Sequence, residues 1–380
     1  VNPSQLIDRA RTTTGLDDFG DSSFREGLDV LVQSLDAEAD LHESGRVAAE
    51  ARLVQILATR LKIEACYREH PEIDDQEVPA PLFQLGLPRT GTTALGNLLA
   101  QDPAVRYLRF WEATSPVPPP DLAEPDDPRI AEARAALVKR HDAEPRLRPM
   151  LLSSATGPAE CLALMTFQFQ SVSFCGAYKL PSYSEWLFAS DMVPAYRYHK
   201  RVLELLQWKT PPNRWRLRTP AHMTAIEALD QVYPDAQFVM THRDIASVIP
   251  SVADLHSALS ASSTDHPDAE YFGTFCADMW QAALERTIAF RDAGREARFH
   301  DFMFQDVQLD PIGSVVRLYE SLGEHLSPDA EARMANWWET NPRDKFGRHS
   351  YAAEEFGLNI GELRERFAFY TNRFDVPLDP

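Results

Sequence analysis
The chain has 380 residues, enough for one large core with an added helical region or for two domains. Its 38 basic and 57 acidic residues give a formal net charge of −19, which excludes broad binding to nucleic acid or anionic lipid but leaves room for a local basic pocket. No apolar run is long enough to span a bilayer, no leader-like segment is seen, and the four scattered cysteines (Cys66, Cys161, Cys175, Cys276) predict reduced, buried thiols in a cytoplasmic protein.

Residues 1–78 read as helical, with Phe24, Leu28, Leu31, Val32 and Leu35 on one face and Val54, Leu57 and Leu61 on another. Glu77-Val-Pro-Ala-Pro81 then breaks the chain, because each proline disfavours helix at the residue before it. From residue 79 short apolar strands alternate with helices. Leu82-Phe-Gln-Leu-Gly-Leu87 is predicted as a buried strand and 92–101 as a helix. Residues 116–128, rich in proline and acid, are a loop. Residues 162–169 form an apolar helix, and the aromatic-rich stretch with Phe167, Phe169, Phe174, Tyr178, Tyr183, Trp186 and Phe188 is mostly core, with some positions free to line an acceptor pocket. Further strands are predicted at 215–219, 237–241 and 298–302. Helices follow around Ile226, Leu229 and Val232, around Trp280 to Ile288, around Val315 to Leu322, and around Met334 and Trp337. Ser327 followed by Pro328 is a helix start, with the hydroxyl capping and proline at the first position. Residues 253–275, rich in Ser, His and Asp, are expected to form a lid. The alternation predicts an α/β fold: a mostly parallel central sheet flanked by helices, P-loop-like, spanning 79–380 behind an N-terminal helical region.

Ligands in such sheets bind beyond the C-terminal strand ends. There, Gly86-Leu-Pro-Arg-Thr-Gly-Thr-Thr93 joins the first strand to its helix at nearly Walker A spacing. Gly91 lets successive amides face an anion, Thr92 and Thr93 add hydroxyls, and the helix N-terminus adds a favourable field. The lysine that should follow Gly91 is replaced by Thr92, and the cation, Arg89, lies inside the loop. No strand ends in the simple aspartate that holds Mg²⁺; the nearest, Asp244, follows His242 and Arg243. Phosphoryl transfer needs a metal to offset charge, whereas a sulfonyl group carries less. The loop therefore favours sulfonyl transfer without a metal. After the third strand, Arg243 and Ser251 stand two helical turns apart, able to grip one phosphate from two sides. Lys345-Phe-Gly-Arg-His-Ser-Tyr351 is a basic-aromatic stretch suited to closing over a nucleotide.

These three pieces, in this order, resemble the PAPS-dependent sulfotransferases (PAPS, 3′-phosphoadenosine 5′-phosphosulfate), in particular a bacterial branch with an N-terminal helical region. The resemblance implies that Arg89, Thr90, Gly91, Thr92 and Thr93 hold the 5′-phosphosulfate, that Arg243 and Ser251 hold the 3′-phosphate, and that Gly347 and Arg348 cover it. It implies PAP as product and a small-molecule acceptor. The chain departs from the cytosolic sulfotransferases, which carry lysine where Arg89 stands and a catalytic histidine where Pro220 stands, in Arg218-Thr-Pro-Ala-His222. In its loop arginine it is similar to the tyrosylprotein sulfotransferases; their glutamate base falls near Glu112 and their catalytic lysine at Arg218. Three bases stay open: Glu160, a carboxylate leading into an apolar stretch that invites a raised pKa; Glu112; and His222, whose ordinary pKa suits the task. The accepting group is expected to be a hydroxyl, or an amine, of a lipophilic or phenolic molecule. The rival readings are a P-loop small-molecule kinase and a non-catalytic PAP- or nucleotide-binding protein.

Overall fold
The computed structural model describes residues 2–121, 123, 126–151, 153–210, 214–342 and 352–379. The chain opens with three helices: α1 (Pro3–Thr14), α2 (Phe24–Glu38) and α3 (Glu43–Glu69). Local chemistry sets their ends. The Asn2 side chain accepts from the amides of Ser4 (2.9 Å) and Gln5 (3.4 Å), Pro3 fills the first position, and Gly15 stops α1 in the left-handed conformation. His42 Nδ1 caps α3 by accepting from the Gly45 amide at 2.8 Å.

A buried cation ties these helices to the rest of the chain. Arg60, in α3, donates to the carbonyls of Phe19 (2.8 Å), Asp21 (2.9 Å) and Phe167 (3.0 Å) and to Gln168 Oε1 (2.9 Å). Its guanidinium also lies over the rings of Tyr198 and Phe24. Arg60→Leu would leave these acceptors without their donor, at about 1–3 kcal/mol for each one that stays buried and unsatisfied. A loss of at least about 3 kcal/mol in urea unfolding is expected; stability within experimental error of wild type would refute this role.

The sheet has five parallel strands in the order β2-β3-β1-β4-β5: β1 (Leu82–Gly86), β2 (Val105–Tyr107), β3 (Arg214–Arg218), β4 (Gln237–His242) and β5 (Phe299–Met303). Every residue of β1 is buried, as a central parallel strand requires. Side chains alternate between the two faces. Phe83, Leu85, Trp215, Leu217, Phe238 and Met240 join the larger core, which continues into the N-terminal helices. Leu82 and Val239 face the other way, onto α4 (Thr92–Leu99) and the helices Pro311–Ser321 and Pro328–Thr340. Ser327 caps the last of these, accepting from the Ala330 amide at 3.2 Å.

Three local expectations change. β2 was not predicted; it is a three-residue edge strand with little apolar pattern. Residues 162–169 do not form one helix: an α-helical turn, Leu162–Met165, passes into a 3-10 turn, Thr166–Gln168, and Phe169 ends it with φ of 55°. Residues 253–275 are mostly helical rather than a loop. Most of them lie in the helices Ile245–Ser260 and Ala269–Phe290, where Ala253, Ala258, Phe272 and Phe275 are buried. All four cysteines are buried and unpaired. Among the described residues no helix is long and apolar enough to cross a membrane.

Candidate active site
The turn after β1 is shaped by backbone that only some residues accept. Gly86 has φ of 105°, and a Cβ there would lie 2.4 Å from the Thr241 carbonyl on the neighbouring strand. Gly91 has φ of 90° and leads directly into α4. Arg89 adopts φ of 66°, uncommon for a residue with a side chain. The first amide of α4 bonded within the helix is that of Leu95, to the Gly91 carbonyl at 3.0 Å. The amides before it therefore point out of the helix end, where the backbone dipoles favour an anion. Beneath them, Gln84 of β1 donates to the Thr92 carbonyl at 2.6 Å and fixes the helix start to the sheet.

The threonines divide the work. Thr90 is fully buried, and its hydroxyl contacts the Leu87 carbonyl and the Thr241 hydroxyl, each at 2.6 Å, so that hydroxyl is committed inside the protein. Thr93 Oγ1 accepts from Arg218 Nη1 at 3.1 Å. Arg89, Arg243 and Ser251, separated in sequence, meet: Arg89 Nε donates to Ser251 Oγ (3.2 Å), and Arg243 Nη1 donates to the Arg89 carbonyl (2.9 Å). Arg89 Nη1 also donates to the carbonyl of Met150 (2.8 Å), at the end of the short helix Leu147–Met150. Arg243 lies 4.2 Å from the centre of the Phe304 ring and pairs with Asp379 at 2.6 Å. Asp244 caps the helix Ile245–Ser260 and pairs with Arg364 at 2.7 Å. Among the described residues no group of three or more His, Cys, Asp or Glu is placed to hold a metal.

The candidate bases occupy different surroundings. The Cys161 amide donates to the Arg218 carbonyl at 2.8 Å, which docks residues 158–161 on the end of β3. This places Glu160, half-buried, where it accepts from the Thr219 hydroxyl at 2.9 Å. Its placed neighbours, the Thr219 hydroxyl and the Arg218 guanidinium, are polar. Arg218 is buried, which lowers its pKa, and the nearby Glu160 offsets part of that. Arg218 Nη2 donates to the Pro158 carbonyl at 2.9 Å, so one guanidinium spans Thr93 and the Glu160 segment.

Glu112 is completely buried. It accepts from Arg106 Nη2 at 2.7 Å and from the Arg109 amide at 3.0 Å, closing the start of the helix Phe110–Thr114. Glu112→Gln is expected to cost about 3–5 kcal/mol of stability by stranding the Arg106 charge. An unchanged melting temperature with much reduced turnover would reverse this assignment. His222 is also wholly buried, its ring nearly perpendicular to that of Phe83 at 4.8 Å between centroids, with Nδ1 2.9 Å from the Tyr196 hydroxyl. Burial holds its pKa well below 6.5, and the neighbouring His199 adds to the effect. Neither side chain is exposed to solvent.

Gly347 and Arg348 lie outside the described residues. Of the aromatic stretch, Phe167, Phe169, Phe174, Tyr178 and Tyr183 are core, while Trp186 and Phe188 are partly buried. Phe188 lines a cavity of about 260 Å³ whose wall includes Val172, Met192 and Ala225 and whose rim carries Glu227 and Arg286. The sequence reading missed Gln84, the Met150 carbonyl and Asp379. Only Gln84 left a trace, as the one strongly polar residue in a buried strand.

Residues 81–328, more than half of the chain, match the family described as the sulfotransferase family. The chain is 28% identical over 270 residues to omega-hydroxy-beta-dihydromenaquinone-9 sulfotransferase Stf3 of Mycobacterium tuberculosis and of Mycobacterium bovis. That match takes in 64% of this chain and 62% of the relatives' length. Among solved structures it is similar to sulfotransferase STF9 from Mycobacterium avium (TM-score 0.91, 32% identity, 99% of this chain and 97% of that one). Sulfotransferase STF1 from Mycobacterium tuberculosis H37Rv is similar too (TM-score 0.87, 32% identity, 97% and 99%).

Proposed function
The chain belongs to the sulfotransferase family, and on that premise we propose that it moves a sulfonate group from PAPS to a hydroxyl of a small lipophilic acceptor. The observation that carries this reading is the meeting of Arg89, Arg243 and Ser251 beside the free amide end of α4. On this reading the turn after β1 and the start of the helix Ile245–Ser260 would supply two anion subsites side by side, as a nucleotide phosphorylated at both 3′ and 5′ requires. The donor set suits such a ligand: two guanidiniums, a hydroxyl and backbone amides, with Asp244 committed to capping a helix.

In the proposed reaction the acceptor oxygen bonds to sulfur as the bridging S–O bond breaks, the hydroxyl proton passes to a carboxylate, and PAP leaves. Arg89 and the α4 amides meet the charge that grows on the leaving oxygen. Arg218, tied to Thr93, holds the loop threonine and the Glu160 segment in register. Glu160 is the base we favour, because Glu112 and His222 are closed off while Glu160 keeps surface beside Arg218. Residues 1–78 serve as a helical region appended to the 79–380 transferase unit. The unpaired cysteines fit a reducing, cytoplasmic setting. The acceptor named for the menaquinone-directed relatives is a hydroxylated lipid-like molecule, which supports a lipophilic alcohol here.

Labelled PAPS offered with a panel of hydroxylated isoprenoid and phenolic acceptors tests the reading. Transfer to at least one is expected. Glu160→Gln should then lower turnover by about 10²–10⁴-fold with PAP affinity kept. If that variant turned over normally, Glu160 would not be the base. PAP binding without transfer to any acceptor would favour a non-catalytic protein.

A further inference from the structure
Beyond the helix Ala368–Arg373 the chain returns to the strand ends and delivers a carboxylate onto the Arg243 guanidinium. Asp379 Oδ2 lies 2.6 Å from Arg243 Nε, and both side chains are mostly buried, at 13% and 15% exposed. The Ser247 and Gln305 side chains lie close enough to favour the charged carboxylate. Burial works to raise its pKa, but these neighbours and the Arg243 charge overcome that and hold it below the usual carboxylate range. The Asp379 amide donates to Asp244 Oδ2 at 3.2 Å, so the segment is anchored through its backbone to the same helix start. Ser247 lies in the first turn of the helix Ile245–Ser260, one turn before Ser251. An arginine, a serine hydroxyl from the first turn of this helix and a carboxamide brought in by Gln305 make a donor set for a tetrahedral anion. In this structure an acidic side chain of the chain itself fills it.

We propose that Asp379 stands in for the donor's 3′-phosphate, so that the segment 374–379 closes this subsite and must leave when PAPS or PAP binds. This rests on the reading of Arg243 as the 3′-phosphate ligand and adds Ser247 to that subsite. A phosphate seated on the Nε edge of Arg243 would take the place now held by the Asp379 carboxylate, and two anions at that one edge would repel strongly. The competent, open form is then only a fraction of the molecules, and the apparent dissociation constant rises by the inverse of that fraction. The device also discriminates. A nucleotide lacking the 3′-phosphate has no need to displace Asp379 and gains nothing by doing so.

The experiment is isothermal titration of wild type and Asp379→Asn with PAP and, separately, with AMP. PAP should bind the variant about tenfold more tightly, as expected if roughly nine-tenths of wild-type molecules are closed. AMP affinity should change by less than about twofold, because only the 3′-phosphate competes with Asp379. Unchanged or weaker PAP binding would overturn the proposal, and so would an equal gain for AMP, which would mark a general effect on the site. Hydrogen exchange on the wild type gives an independent readout should the variant fold poorly. Amides of 374–379 should lose protection with saturating PAP and not with AMP; protection that stays or grows with PAP contradicts the proposal. Failure of wild type to bind PAP at all would instead defeat the functional reading beneath it.

Discussion

Arg89→Ala is expected to lower turnover by about 10²–10³-fold, the usual effect of removing a donor aimed at charge that develops in the transition state. The residue lies inside the turn, where a Walker A loop would have a neutral position, and its backbone is held at φ of 66°. Its side chain is oriented from two sides, by Ser251 and by the Met150 carbonyl. Such a cation is fixed before substrate arrives, so little reorganisation accompanies the reaction. PAP affinity should fall far less than turnover, because the amides of α4 and Arg243 still bind the product's phosphates. Lysine at this position restores charge but not the fork that reaches both neighbours, so partial rescue is expected. Single-turnover rates with labelled PAPS separate the two effects. Equal losses in rate and in PAP affinity would mean that Arg89 only binds.

Acid should unfold this protein through two core histidines, with a loss of about 2.7 kcal/mol per pH unit below pH 6. His199 and His222 are both fully buried, with ring centroids 6.2 Å apart. The Nδ1 of each lies within hydrogen-bond distance of a tyrosine hydroxyl, Tyr233 at 2.7 Å and Tyr196 at 2.9 Å, and among the described residues the Nε2 of each has no partner. Burial lowers the His199 pKa to about 3 and holds that of His222 well below 6.5. Above pH 6.5 both are neutral whether the chain is folded or not, and stability is complete. As pH falls through 6.5 the unfolded chain binds two protons that the folded one refuses, so stability declines until the folded pKa values are reached. The two tyrosines do not titrate here, since burial raises them well above 10. Asp301 acts in a lower window. Burial alone would raise its pKa, but hydrogen bonds from Arg291 and His242 hold it well below the carboxylate range, so its contribution is lost only under about pH 4. Two pH units would thus remove about 5 kcal/mol from a typical total of 5–15 kcal/mol. Urea unfolding at pH 7, 6 and 5 measures the slope. A flat profile, or one unchanged by the His199→Gln/His222→Gln pair, would show that these rings do not set it.

The parts legible in the sequence were those governed by short-range chemistry. The turn after β1 declares itself because Gly86 and Gly91 must take positive φ at a fixed spacing. Ser327 and Pro328 mark a helix start by the same local logic. The N-terminal helical region, through its faces at 24–35 and 54–61, and four of the five strands carry their own periodicity. β2 carries too little, since Val105–Tyr107 gains its partner only when β3 arrives more than a hundred residues later. The candidate bases show the limit most plainly. Glu112, Glu160 and His222 are equivalent as letters, and only long-range packing separates them. Glu112 meets Arg106 and vanishes from the surface, His222 is driven behind the sheet against Phe83, and Glu160 is set on the β3 end by a backbone bond to Arg218. Asp379 was unreadable for the same reason: its partner, Arg243, is 136 positions away.

The central claim is that this turn, with its cation at position 89 and no lysine after Gly91, holds a 3′,5′-phosphorylated adenylate without help from a metal. Calorimetric titration with PAP and with ATP, each in magnesium and in EDTA, tests it most directly. The account predicts tight PAP binding that is indifferent to magnesium, and ATP binding that is far weaker in both buffers. Magnesium-dependent ATP binding that exceeds PAP binding would contradict it.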